Sequence, residues 1–216
     1  SPRPANAASV FLTDPFELYW EVLYSGPADQ LRAEFYIGGS RDDLTLVADS
    51  VSGRREAEGI VSFTYEAKVE PHSEYWWMVK VISDNGKTDE GGPWRFSMRN
   101  HPPTRPEVIY PSNNAVDIPV RDLVFSWEES FDPDGDPVTY DVYIGLTPRL
   151  TADNLVASGL SGTSLRVDEL RVFEFSTRYY WRVEARDSFG GESFSTTAGF
   201  LTEPVPARAT PVNPEP

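Results

Sequence analysis

The chain has 216 residues, no cysteine and a formal net charge of −15. Without cysteine there is no disulfide framework, thiolate metal site or cysteine nucleophile, and the compartment is left open. Acids outnumber bases evenly, 16 to 9 in residues 1–98 and 18 to 10 in residues 99–216, and such a surface repels phosphate backbones and speaks against nucleic acid as a partner.

Apolar and polar residues alternate with period two almost throughout, as in half-buried strands. In chain order, Phe16, Leu18 and Trp20 alternate with Glu17 and Tyr19, and Ala33, Phe35 and Ile37 with Glu34 and Tyr36. Tyr75, Trp77, Val79 and Val81 then alternate with Trp76, Met78, Lys80 and Ile82. Residues 99–110 hold three prolines, which fix φ and remove backbone donors, so this stretch predicts an extended, semi-rigid linker entering a first strand. Further on, Leu123, Phe125 and Trp127 alternate with their neighbours, as do Tyr140, Val142 and Ile144 and then Tyr179, Trp181, Val183 and Ala185. A second proline-rich link follows at 203–206. Gly, Pro, Asn and Asp punctuate the runs, and no segment reads as an amphipathic helix. No window approaches the roughly 18 apolar residues of a membrane span. The chain opens at Ser1 with neither Met nor an apolar signal region, so any targeting segment is expected to be removed or to lie outside these residues.

The pattern also repeats. Pro4, Trp20 and the run Phe35-Tyr36-Ile37-Gly38 recur as Pro111, Trp127 and Val142-Tyr143-Ile144-Gly145, all 107 positions on. The offset then drifts, to 109 for Leu46-Val47-Ala48 against Leu155-Val156-Ala157 and to 104 for Tyr75-Trp76-Trp77 against Tyr179-Tyr180-Trp181. Drift between fixed landmarks is what insertions in loops produce. A third copy starts at Ala209-Thr210-Pro211-Val212-Asn213, an echo of residues 109–113. The expected organisation is a first domain at 1–98, a linker and strand start at 99–110, a second domain at 111–203 and the beginning of a further repeat at 204–216, cut from a longer array. Six to eight short strands per copy predict a two-sheet antiparallel sandwich.

Each copy resembles a fibronectin type III domain of the bacterial secreted and surface-protein kind. The residues that carry the resemblance are Trp20 and Trp127 on a second strand, the alternating third strands, and the runs around Pro71, Ser73, Tyr75 and around Thr177, Tyr179. The family usually shows Pro-x-Thr-x-Tyr there. The first copy has Ser73 in place of Thr, and the second has Phe175 in place of Pro. The resemblance implies an all-β chain of two tandem immunoglobulin-like sandwiches. It also implies that Tyr75 and Tyr179 form tyrosine corners, buried rings whose hydroxyls bond the backbone.

Two features carry functional expectations. Residues 128–137 read Glu-Glu-Ser-Phe-Asp-Pro-Asp-Gly-Asp-Pro, with five carboxylates and no base. Asp132, Asp134 and Asp136 at alternate positions suit a hard cation such as Ca²⁺, and Asp187 in the loop before the last strand is placed to complete the shell. The competing reading is an Asp-Pro and Asp-Gly turn that caps its own backbone. The aligned residues 25–30 of the first copy contain only Asp29 as an acid, so a cation site belongs to the second copy alone. Second, if Tyr75, Trp77, Tyr179 and Trp181 face inward, then Trp76 and Met78 share an outer surface with Tyr36, and Tyr180 and Arg182 share one with Tyr143. Such aromatics stack on sugars or anchor partners, or else form cross-strand pairs that steady the sheet.

Only two histidines are present, His72 in a predicted turn and His101 in the linker, and neither recurs in the other copy. No phosphate loop and no metal-spaced histidine cluster appears. The reading is a non-catalytic, fairly stiff spacer and interaction segment of a larger secreted or surface-displayed bacterial protein. Its partners would be a protein or polysaccharide and the adjacent repeats. The alternative is an accessory, carbohydrate-contacting region of a polysaccharide-degrading enzyme whose catalytic domain lies elsewhere.

Overall fold

The computed structural model describes residues 1–57, 59–167 and 173–206. The third-repeat motif at 209–213 lies outside the described residues. The chain divides into two compact units, Ser1–Asn100 and His101–Pro216.

The first unit contains β1 (Ala8–Phe11), β2 (Glu17–Leu23), β3 (Leu31–Ser40), β4 (Asp43–Ser52), β5 (Arg54–Ala57), β6 (Ile60–Glu66), β7 (Glu74–Ser83) and β8 (Thr88–Arg99). One sheet has the order β1-β8-β7-β3-β4 and the other β2-β6-β5. The second unit contains β9 (Val108–Tyr110), β10 (Ala115–Ile118), β11 (Leu123–Trp127), β12 (Thr139–Gly145), β13 (Leu155–Leu160), β14 (Ser164–Val167), β15 (Arg178–Arg186), β16 (Glu192–Phe194) and β17 (Ala198–Thr202). Its sheets run β10-β17-β15-β12-β13, with β16 beside β15, and β14-β11-β9. Two single-turn 3₁₀ segments, Ala28–Gln30 and Ala152–Asn154, are the helical elements among the described residues. The chain is thus an all-β pair of sandwiches.

The cores follow from the alternation. Leu18, Ala33, Phe35, Trp77, Val79 and Val81 are buried in the first unit, and Leu123, Phe125, Trp127, Tyr140, Val142, Trp181 and Val183 in the second. Burying such side chains stabilises each sandwich by about 1.5–3 kcal/mol apiece before chain entropy is set against it. The rings pack in contact. Trp94 lies 4.7 Å from Trp20 and 4.8 Å from Trp77 in the first unit, and Phe125 lies edge-on to Trp181 at 4.9 Å in the second.

The sheets are not wholly antiparallel, as the alternation had suggested. β1 runs parallel to β8 and β10 parallel to β17. The first segment of each unit changes sheets. Arg3 bridges Tyr19 on β2 before β1 joins β8, and β9 pairs with β11 before β10 joins β17. Continuing in one direction on the facing sheet, each segment meets a last strand that runs the same way. The changeovers fall just after Pro4 and at Pro111, where a residue without an N–H interrupts the ladder at no cost in donors. The Pro111 carbonyl is then available to accept the Trp181 indole N–H at 2.9 Å.

Both tyrosine corners are formed. The Tyr75 hydroxyl accepts the Glu70 N–H at 2.9 Å, and the Tyr179 hydroxyl accepts the Glu174 N–H at 3.0 Å. Each reaches back five residues and ties the approach loop to β7 or β15. Tyr179→Phe leaves the Glu174 N–H without its acceptor, and a loss of about 1–2 kcal/mol is expected in urea unfolding. Tyr75→Phe is expected to cost less, because Tyr75 is the more exposed ring.

Candidate functional site

The acidic loop joins β11 to β12, and its backbone is held at several points. The Ser130 N–H donates to the Tyr140 hydroxyl at 2.7 Å. Phe131 and Thr104 exchange two hydrogen bonds, Thr104 N–H to the Phe131 carbonyl at 2.7 Å and Phe131 N–H to Thr104 Oγ1 at 2.8 Å. The proline-rich stretch from residue 101 is therefore fastened along the second unit, with Pro103 and Pro106 buried and Arg105 Nε donating to the Phe194 carbonyl at 2.8 Å.

The four candidate cation ligands have different situations. Asp132 Oδ1 accepts the N–H groups of Asp134 at 2.9 Å and Asp136 at 3.4 Å, while its carbonyl accepts the Gly135 N–H at 3.1 Å. This is an Asp-initiated turn, with Gly135 at φ +83° supplying the left-handed residue. The Asp134 carboxylate faces His101: Oδ2 accepts the His101 N–H at 2.6 Å, and Oδ1 lies 2.8 Å from His101 Nδ1. Asp187 Oδ1 accepts the N–H groups of Phe189 at 2.7 Å and Gly191 at 2.8 Å, closing the β15–β16 turn. Among the described residues, no three of Asp132, Asp134, Asp136 and Asp187 bring one oxygen each within 4.8 Å of one another. Asp134 and Asp136 of this loop do belong to a group of histidine and carboxylate donors whose ligand atoms lie within 4.8 Å of one another.

Among the described residues Asp132 Oδ2 and Ser130 Oγ have no hydrogen-bond partner, although their residues are only 3% and 5% exposed. Both residues line one cavity of about 280 Å³, with Glu129, Phe131, Asp136, Val138 and Tyr140 among its walls. Nothing in the sequence had singled out Ser130. Its hydroxyl stands out only because the fold buries it without a hydrogen-bond partner.

The aromatic candidates share faces as the strand register requires. Tyr36 pairs with Met78 and Gly38 with Trp76 across β3 and β7. Tyr143 pairs with Arg182 and Gly145 with Tyr180 across β12 and β15. Tyr36, Trp76, Tyr180 and Arg182 are half-buried. Tyr143 differs from the expected open ring, being only 6% exposed. The Arg182 guanidinium lies 4.9 Å from the centre of its ring and 4.6 Å from that of Phe194, and its hydroxyl donates to Glu184 Oε2 at 2.6 Å. Tyr180 lies against Gly199, where a Cβ would come within 3.0 Å of the ring. On this face of the second unit, packing has taken up the aromatic surface.

Burial and the neighbouring Glu184 carboxylate push the Tyr143 hydroxyl above its ordinary 10.0. A group raised in the folded state adds stability that is complete below its unfolded pKa and is lost as pH rises through the folded one. The melting temperature is therefore expected to fall above about pH 10. Tyr143→Phe should make that fall shallower while costing about 1 kcal/mol at neutral pH. Melts at several alkaline pH values check both.

The two units form an all-β pair of sandwiches. No described helix is long and apolar enough to cross a membrane. No protein-family model and no curated protein matches the chain. Among solved structures it is similar to the fibronectin(III)-like modules of Clostridium thermocellum CbhA, at 12% identity and a TM-score of 0.40, covering 97% of each chain. It is also similar to the FN1–FN3 domains of chicken CNTN1, at 13% identity and a TM-score of 0.35, covering 92% of this chain and 68% of that one.

Proposed function

We propose that this chain is a spacer and interaction segment of a larger secreted or surface-displayed bacterial protein, built from two fibronectin type III modules with their junction inside residues 99–110. The observation that carries the reading is the filled aromatic core of each sandwich together with the twice-formed tyrosine corner, a design that serves rigidity and display. Its partner is a protein or a polysaccharide. Purified chain is expected to hydrolyse no polysaccharide or peptide bond. Activity that disappears on replacing one carboxylate would overturn the reading.

The half-buried row of Tyr36, Trp76 and Met78 on the outer face of β3 and β7 favours a second reading, that of a sugar-contacting accessory region of a polysaccharide-degrading enzyme. Binding to a glycan panel, weakened about tenfold or more by Trp76→Ala, is the result that reading requires, since one stacked aromatic contributes on that order. In either case Ca²⁺ held by the acidic loop of the second module would stiffen it. Calorimetric titration of Ca²⁺ into chelator-treated protein tests this, with Asp134→Ala as the variant expected to abolish the heat.

A further inference from the structure

From the outer face of the first unit, we infer that β3, β4 and β7 bind a neutral, unbranched polysaccharide laid across the strands. The inference deepens the sugar-contacting reading and rests on it. Met78, Tyr36 and Leu46 form one row across three adjacent strands, since Tyr36 pairs with Met78 on one side and with Leu46 on the other. Trp76 lies beside Met78 on the same face, two residues away on β7. Its partner on β3 is Gly38, which sets no side chain beside the indole. Leu46 is 46% exposed, and Tyr36, Trp76 and Met78 are half-buried. The second unit shows what closes such a face. There the counterpart of Met78 is Arg182, whose guanidinium lies 4.9 Å from the centre of the Tyr143 ring. With Met78 in that place, no cation lies over Tyr36 or Trp76 among the described residues.

Size and charge select the occupant. Three strands span about 10 Å and a two-residue step along one of them about 7 Å, so the strip is far smaller than the roughly 800 Å² that each partner of a stable protein complex buries. A strip of that width suits one extended chain. Polar side chains border it on both sides. On one, Glu34, Lys80 and Glu90 stand abreast on β3, β7 and β8, and the Tyr36 hydroxyl donates to Glu34 Oε2 at 2.8 Å. On the other, Arg95 stands opposite Trp76 and pairs with Glu74 at 3.6 Å. A sugar ring offers an apolar C–H face to aromatic side chains and hydroxyls around its rim, each of them a donor and an acceptor. Acids and bases interleaved along both borders meet such hydroxyls in either role. A polyanionic glycan is repelled by a chain of net charge −15. A polycationic one finds Lys80 and Arg95 already set among the acids.

The test is amide NMR of the isotope-labelled 216-residue chain titrated with cellohexaose, xylohexaose and mannohexaose. A galacturonate hexamer and a glucosamine hexamer serve as charged comparison ligands. At least one neutral hexamer is expected to shift the amides of residues 34–38, 44–48 and 74–80 and to leave those of 139–145 and 178–186 still. The charged hexamers should bind about tenfold more weakly, and the neutral affinity should change less than about twofold when NaCl is raised to about 0.5 M. Met78→Arg, which sets at this place the residue of the second unit, should weaken binding about tenfold, and Leu46→Ser several-fold. Unchanged melting temperatures verify the fold of both, and Trp76→Ala replaces Met78→Arg if that variant does not fold. Tighter binding of either charged hexamer would overturn the inference and leave the sugar-contacting reading standing. Shifts confined to the second unit, or binding undiminished by Leu46→Ser and Trp76→Ala, would overturn it as well. If no hexamer binds, the inference and the sugar-contacting reading fail together, and the spacer reading with a protein partner remains.

Discussion

Arg186→Ala is expected to destabilise the second unit by about 2–3 kcal/mol, more than any other single change to its charged residues. One guanidinium there faces three carboxylates. Its Nη2 lies 2.5 Å from Glu184 Oε1, its Nε 3.1 Å from Asp141 Oδ2, and its Nη1 2.8 Å from Glu192 Oε1. The first two are close approaches of charge more than well-aligned hydrogen bonds. Glu184 is nearly sealed from water, with its side chain 1% exposed, and apart from Arg186 it has the Tyr143 hydroxyl. Asp141 is engaged on its other oxygen by the Gly159 N–H at 2.9 Å. Removing one partner of a buried pair costs about 3–5 kcal/mol, because a desolvated charge is left behind. Arg186 is itself 39% exposed, so water screens part of the interaction and the lower figure follows. The same logic orders the neighbours. Glu192→Gln, at a site 43% exposed, should change stability by less than about 0.5 kcal/mol. Adding Glu184→Gln to Arg186→Ala should recover part of the loss, since the stranded charge is then gone. Urea unfolding of the two single variants and the double closes the cycle. Equal losses for Arg186→Ala and Glu192→Gln would show that burial of Glu184 is not what holds this network.

The alternation at Leu18, Phe35, Trp77, Phe125, Val142 and Trp181 was legible in the sequence because a sheet with one wet face imposes period two on its strands. It says which way a side chain points, not which strand lies beside it. The parallel pairing of β1 and β10 was therefore out of reach. So was the fate of Tyr143, whose outward direction is set by β12 but whose covering comes from Arg182 and Glu184 on β15. The acidic loop divides in the same manner. Its turn was legible from Asp-Pro and Asp-Gly, which act locally. Capture of Asp134 by His101, 33 residues earlier, is a tertiary event. Pro111 was visible as a landmark of the repeat without a reason. Its carbonyl as acceptor for Trp181 provides one, whereas the Trp77 indole in the first unit has no such partner.

Gly38→Ala is expected to destabilise the first unit by about 3 kcal/mol or more, and Gly39→Ala by less than about 1 kcal/mol. The two glycines are adjacent at the end of β3, so propensity and exposure barely separate them. What separates them is the hairpin to β4. A Cβ on Gly38 would stand 1.8 Å from the Asp43 carbonyl oxygen and 2.9 Å from its carbon, whereas one on Gly39 meets nothing within 4 Å. The obstacle at Gly38 is backbone and cannot rotate aside as a side chain would. Relief requires β4 to move, and the Ser40–Asp43 and Ile37–Thr45 pairings lie on either side. Gly145, the counterpart of Gly38 in the second copy, behaves differently. Its added Cβ meets Asn154 Nδ2 at 2.8 Å and Leu150 Cδ2 at 2.9 Å, both side-chain atoms. Those atoms can yield, so Gly145→Ala should cost about 1–2 kcal/mol. The glycine that closes Tyr-Ile-Gly in both copies is thus kept for two reasons, close backbone approach in the first unit and side-chain packing in the second. Equal unfolding midpoints for Gly38→Ala and Gly39→Ala would show that the hairpin opens without penalty and would remove the first reason.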